Sequence, residues 1–149
     1  MNRLSRFSSV LFGVVFILYS EFAAATPPAV KVVIPDNIPG TTLVNAEEVI
    51  TLAAKTPNLV IIDARIAGDR KHGFIEGSVS LPDLQTNCAS LAKVIPKKSS
   101  PVLLYCNGVK CGRSVTSTQI ALKCGYTMLY WFRGGYEEWL AKNYPTVVN

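Results

Sequence analysis

The stretch "YCNGVKCGRS", Tyr105 to Ser114, sets two cysteines five positions apart directly after the apolar run "PVLLY". A thiol in that place can serve as a nucleophile, a metal ligand, a redox partner or half of a structural bridge. Residues Asn107, Gly108, Val109, Lys110, Cys111, Gly112 and Arg113 form a loop able to wrap the Cys106 sulfur. Gly108 and Gly112 permit backbone conformations that other residues avoid, so several N–H groups can turn inward. A helix starting near Gly112 or Arg113 adds its positive end, and Lys110 and Arg113 add full charges. The expected result is an anion cradle with a thiol at its base, in which the Cys106 pKa falls below the free value of about 8.5. Such a thiolate can attack an anionic sulfur donor while the same N–H groups hold the leaving anion. Cys111 stays open to three readings. It can resolve a sulfur-loaded Cys106 by forming a disulfide, lock Cys106 until a reductant arrives, or face away from the cradle; the Cα separation decides.

The flanking segments alternate in kind. "TTLVN" reads as a short strand, and Asn45 with Glu48 three residues later forms a capping box for the helix "AEEVITLAAK". "NLVIIDAR" is a continuous, β-branched apolar run, as in a strand buried on both faces. A polar loop leads to the short strand "GSVSLP", then a helix "NCASLAKVI", the buried strand "SPVLLYC", and a helix "RSVTSTQIALKCG" ending on Gly125. The strand "YTMLYWF", a turn at Gly134 and Gly135 and the helix "YEEWLAKN" complete the chain. Strands alternating with helices predict an α/β fold, a mostly parallel sheet of about five strands with helices on both faces and right-handed connections. Ligands of such sheets sit beyond the carboxyl ends of the strands, where "PVLLYC" delivers Cys106.

The chain has 149 residues, 49% hydrophobic and 17% charged, which suits one packed domain. The first 25 residues carry Arg3 and Arg6, an apolar stretch from Val10 to Tyr19, and Ala23 and Ala25 at the small-residue positions of a cleavage site. That is the pattern of a secretory signal peptide, shorter in its apolar part than the roughly 20 residues of a membrane span. The expected organisation is a signal peptide over 1–25, a proline-rich linker or arm over 26–40, and one domain over 41–149. Export to the periplasm or beyond follows, with no stable membrane association after cleavage; the competing reading is an uncleaved anchor. The formal net charge of +5 becomes +4 without the leader's two arginines and one glutamate. The charge is dispersed, with no dense basic stripe for nucleic acid. In an oxidising compartment Cys88, Cys106, Cys111 and Cys124 allow three full pairings. Their spacings lack the Cys-x-x-Cys pairs of a metal site, and no cofactor or metal is expected.

Together and in order, "VIIDAR", "HGFIEGSVSLP", "VLLYC" and "GYTMLYWFRGGYEEW" resemble a single-domain rhodanese, of the thiosulfate-type sulfurtransferase family. The resemblance spans roughly residues 43–147. It implies that Cys106 carries a persulfide, that backbone N–H groups of the following loop hold it, and that sulfur moves from a donor to a thiophilic acceptor. It also matches Asp63 and Arg65 to the family's structural Asp-x-Arg stretch and His72 to its His-containing loop. Six residues separate Cys106 from Arg113, so this loop is longer than the common rhodanese loop. That spacing also differs from the one phosphatases of related fold use. With Cys111 inside it, the loop resembles an exported branch of the family with a Cys-x-Gly-x-x-Cys-Trp loop, associated with periplasmic oxidation pathways; Gly112 stands where that branch has tryptophan.

The expected function is therefore an exported sulfurtransferase that passes sulfane sulfur from a small anionic donor such as thiosulfate to a thiol or cyanide-like acceptor, with a periplasmic redox partner. Two other readings compete: a thiol–disulfide switch of Cys106 and Cys111, and a non-catalytic module that captures an anion or a peptide over the loop. Asp63 and Arg65 read as a structural ion pair, since buried charges need partners. His72, the only histidine, reads as a loop-fixing group rather than a base, because an ionised thiol needs none. Cys88 and Cys124 read as structural, either bridged to each other or singly buried.

Overall fold

A computed structural model describes residues 34–148; the expected signal peptide and most of the linker lie outside the described residues. The strands are β1 (Thr41–Val44), β2 (Val60–Asp63), β3 (Val79–Ser80), β4 (Val102–Tyr105) and β5 (Leu129–Phe132). They form one sheet in the order β1-β5-β4-β2-β3, and every pairing is parallel. The helices are α1 (Ala46–Lys55), α2 (Ala67–Arg70), α3 (Cys88–Val94), α4 (Arg113–Lys123) and α5 (Gly135–Ala141). The parallel α/β architecture expected from the alternating pattern is the one observed. Among the described residues no helix is long and apolar enough to cross a membrane.

Strand β4 occupies the centre of the sheet, and its four residues are all buried. Successive side chains of a strand face opposite sides. Leu103 and Tyr105 accordingly join Val49 of α1 and Tyr136 and Trp139 of α5 in one core. Val102 and Leu104 join Leu91 of α3 and Ala121 of α4 in the other. A strand walled by apolar layers on both faces explains the unbroken hydrophobic run, and it fixes where the chain emerges at Cys106.

Local signals account for the helix limits. Asn45 caps α1 by accepting from Glu48 N–H at 2.9 Å, while the Glu48 carboxylate accepts from Asn45 N–H at 2.8 Å. Asn87 caps α3 in the same manner, accepting from the N–H groups of Ala89 and Ser90. Helix α4 gives way to Gly125 at φ +84°, where a side chain would be strained. The polar loop after β2 contains one helical turn, α2, that the hydrophobic pattern did not announce; four residues are too few for a helical period to register.

Two features lie outside the sequence expectations or settle an open one. The end of the proline-rich arm is packed: Ile38 is buried against Val115 and Trp131, and Arg133 donates to Pro35 O at 3.0 Å. Cys88 and Cys124 form a disulfide with a Cα separation of 5.4 Å, which ties the first residue of α3 to the residue after α4. Cys106 and Cys111 are free.

The bridge closes a segment with a sequence separation of 36, for which chain entropy suggests about 3–4 kcal/mol of stabilisation. The Cys88→Ser/Cys124→Ser double variant is expected to unfold at lower denaturant concentration by that margin, monitored by circular dichroism, with an unaltered native spectrum. A loss below about 1 kcal/mol would show that the bridge contributes little.

Candidate functional site

Cys106 follows β4 and faces α4. Its sulfur lies 3.1 Å from Ser114 Oγ in the first turn of α4, and its thiol donates to Cys111 O at 3.2 Å. Trp131 of β5 donates its indole N–H to the same Ser114 Oγ at 3.0 Å, which fixes that hydroxyl. Only 1% of Cys106 is exposed. The loop turns back through Cys111 N–H, which donates to Gly108 O at 2.9 Å.

A second set of contacts aims the loop's amides. Tyr136 N–H donates to Cys106 O at 2.9 Å, and Glu137 N–H donates to Asn107 O at 2.7 Å. In a planar trans peptide the carbonyl and the following N–H point in opposite directions. Turning the Cys106 carbonyl toward α5 therefore turns Asn107 N–H into the loop. Gly135 makes this approach possible: its φ is +58°, and a Cβ there would stand 2.3 Å from Cys106 O.

The amides converge on a different sulfur from the one expected. The Asn107 and Arg113 amides favour the ionised form of Cys111, whereas the Ser114 amide favours that of Cys106. The adjoining Cys111 side chain, and then burial, push the Cys106 thiol up, against the opposing bonds from Ser114. Contact with Cys106 lowers the Cys111 thiol to about 6 in spite of burial, aided by the Asn107 and Arg113 amides and the Arg113 charge. The adjoining Cys111 side chain and burial act against the depressed Cys106 pKa expected from the sequence. The pair shares its charge, and the longer loop brings Cys111 into the amide cradle ahead of Cys106.

A pocket of about 550 Å³ opens over this loop. Cys111, Lys110 and Arg113 line it together with Asp83, Glu137 and Ile34, the last from the arm. Cys106 is not among the residues that line it. Asn107 and Gly112 also reach the pocket, but Val109 does not: it lines a separate one beside Arg133 and Glu138. Gly108 and Gly112 have ordinary negative-side backbone angles, contrary to the reason first given for them. The Glu137 carboxylate packs against Gly108 where a Cβ would stand. Asp69 orients the rim, accepting from Asn107 Nδ2 at 3.0 Å and pairing with Arg113 at 3.4 Å.

Asp63 and Arg65 form the buried ion pair read from the sequence. Asp63 Oδ1 accepts from Arg65 Nε at 2.9 Å, and Oδ2 accepts from an Arg65 terminal nitrogen at 2.7 Å. Arg70 and the Tyr105 hydroxyl add bonds of 3.0 and 2.9 Å. Burial pushes the Asp63 carboxyl up, but the hydrogen bonds and charge of Arg65 outweigh it and hold the carboxyl below its ordinary range. Burial and the Asp63 charge keep the Tyr105 hydroxyl protonated, so it remains a donor. His72 is exposed, and its backbone N–H closes the turn after α2 onto Asp69 O. Sequence reasoning missed Ser114, Trp131, Asp69, Glu137 and the role of Gly135. Only Gly134–Gly135 left a local signal, and it reads equally well as an ordinary turn.

Residues 45–142 match the family model described as a rhodanese-like domain. An uncharacterized protein of Buchnera aphidicola subsp. Baizongia pistaciae is 33% identical over 91 residues, covering 60% of each chain. The chain thus spans about 60% of the length of that curated relative. A thiosulfate sulfurtransferase from Pseudomonas aeruginosa is similar in structure with a TM-score of 0.64 and 27% identity, covering 72% of this chain and 20% of that one. A human single-domain sulfurtransferase gives a TM-score of 0.55 and 27% identity, covering 68% of this chain and 97% of that one.

Two measurements probe the geometry. Iodoacetamide labelling of Cys111, followed by peptide mass spectrometry, is expected to accelerate as pH rises through about 6 and to level off above it, since the thiolate is present above a lowered pKa. Native Cys106 should label far more slowly; a Cys111 midpoint near the free value would contradict the cradle. The Gly135→Ala variant is expected to lose about 1–3 kcal/mol of stability in denaturant melts and to lose the Cys111 rate advantage.

Proposed function

Because the chain belongs to the rhodanese-like domain family, we propose that it is a sulfurtransferase that carries sulfane sulfur on Cys106, from a small anionic donor such as thiosulfate to a thiophilic acceptor. The observation that carries this reading is the place of Cys106: at the carboxyl end of the central strand, against the first turn of α4, at the base of a loop whose Lys110, Cys111 and Arg113 line a pocket. The first step needs the Cys106 thiolate. The Ser114 hydroxyl, 3.1 Å from Sγ, donates to that thiolate. Cys106 Sγ then attacks the outer sulfur of the donor, a sulfur–sulfur bond forms on Cys106, and sulfite leaves when the donor is thiosulfate. The loop amides stabilise the departing charge. An acceptor such as cyanide or a thiol attacks the outer sulfur of the persulfide and returns Cys106 to its thiolate.

The exported location belongs to the same proposal. It draws on the leader-like N-terminus and on the Cys88–Cys124 disulfide, a bond that persists in oxidising compartments. Incubation with thiosulfate and cyanide is expected to yield thiocyanate. Cys106→Ser should reduce thiocyanate formation at least ~1000-fold, in line with the loss of other catalytic nucleophiles. Wild-type protein that transfers no sulfur to cyanide or to thiols would end the assignment.

A further inference from the structure

We propose that Cys111 resolves the persulfide on Cys106, so that the loop releases hydrosulfide and closes a Cys106–Cys111 disulfide. This rests on the sulfurtransferase reading above and assigns the second cysteine a step in the same cycle.

Access decides the chemistry. A persulfide has two electrophilic sulfurs. The inner one, Cys106 Sγ, belongs to a residue that is 1% exposed, so an external acceptor reaches only the outer sulfur. Cys111 is the exception, because it lies against Cys106 inside the loop. The Cys106 thiol contacts the Cys111 carbonyl at 3.2 Å, and the Cys111 side chain adjoins the Cys106 side chain. The turn from Gly108 O to Cys111 N–H folds the second cysteine back over the first. The remaining two cysteines are bonded to each other and offer no competing partner. Cys111 also lines the pocket, where the Asn107 and Arg113 amides and the Arg113 charge favour its thiolate.

The step balances without an outside oxidant. Cys111 thiolate attacks Cys106 Sγ, the bond between Cys106 Sγ and the outer sulfur breaks, and that sulfur leaves with the bonding pair as hydrosulfide, taking up a proton. The outer sulfur is reduced and the two cysteines are oxidised to a disulfide. Lys110 and Arg113 edge the pocket into which hydrosulfide departs. Resetting the loop needs two electrons from a dithiol reductant, which makes a dithiol protein or small dithiol the partner class for turnover.

The test compares wild type with Cys111→Ser and Cys111→Ala after loading with thiosulfate or, in a parallel arm, inorganic polysulfide, and after removal of the donor. No acceptor is present. Wild type is expected to release close to one hydrosulfide per chain and to show a Cys106–Cys111 bridge in non-reducing peptide maps. Both variants should keep the added sulfur on Cys106 and release at most a tenth as much hydrosulfide, yet still hand sulfur to cyanide. Dithiothreitol should restore wild type to a second round of loading. Wild type that keeps its sulfur while Cys111 remains free to alkylate overturns this inference alone. Hydrosulfide release by the variants at the wild-type level does the same. Failure of all three proteins to take sulfur from either donor removes the sulfurtransferase reading, and this inference with it.

Discussion

Two hydrogen bonds from the start of α5 to the carbonyls of Cys106 and Asn107 are the constraint on which the site depends. They come from across the sheet end, not from the loop. A loop of this length could otherwise turn its peptides either way, and carbonyls facing the sulfurs would repel an anion instead of stabilising one. With the carbonyls occupied by Tyr136 and Glu137, the opposed N–H of Asn107 has to face the thiols. Gly135 is the only residue type that fits between, because both its positive φ and its contact with backbone atoms exclude a Cβ.

The buried ion cluster at the end of β2 extends the same support. Asp63 alone would be costly in a dry interior, but it accepts from Arg65, Arg70 and Tyr105. Tyr105 immediately precedes Cys106, and Arg65 stacks over the Tyr136 ring with its guanidinium carbon 4.1 Å from the ring centre. One cluster thus positions the residue before the cysteine and the residue that caps its carbonyl. Replacing it with apolar groups could preserve stability, but it would remove the directional contacts that place Tyr105 and Tyr136 relative to each other.

Much of this was legible in the residues. The capping signals at Asn45, the apolar runs at Val60 and Val102 and the stop at Gly125 each depend on a few neighbouring positions, and each gave the right element. Cys106 at a strand end followed from the same patterns. What escaped was non-local. Gly135 lies 29 positions after Cys106, and Ser114 is fixed by Trp131 from β5; no spacing rule connects them. How the two thiols share a charge was not legible either. Sequence placed positive groups near the loop, but which sulfur they reach depends on how the extra residues fold, and here they fold Cys111 inward.

The charges around the pocket narrow what the cradle does best. Arg113 is not a free cation: Asp69 lies 3.4 Å from it, and Asp83 pairs with it at 3.8 Å. Glu137 lines the same pocket as Lys110. Paired charges on a half-exposed rim contribute little net field at a distance, because solvent and their partners screen them. Amide dipoles directed at a sulfur a few ångströms away are not offset in this way. The loop therefore acts chiefly on a small anion fixed in place, a thiolate or a persulfide. Anion stabilisation that acts mainly on protein-bound sulfur suits chemistry in which two cysteines exchange charge and bonds between themselves.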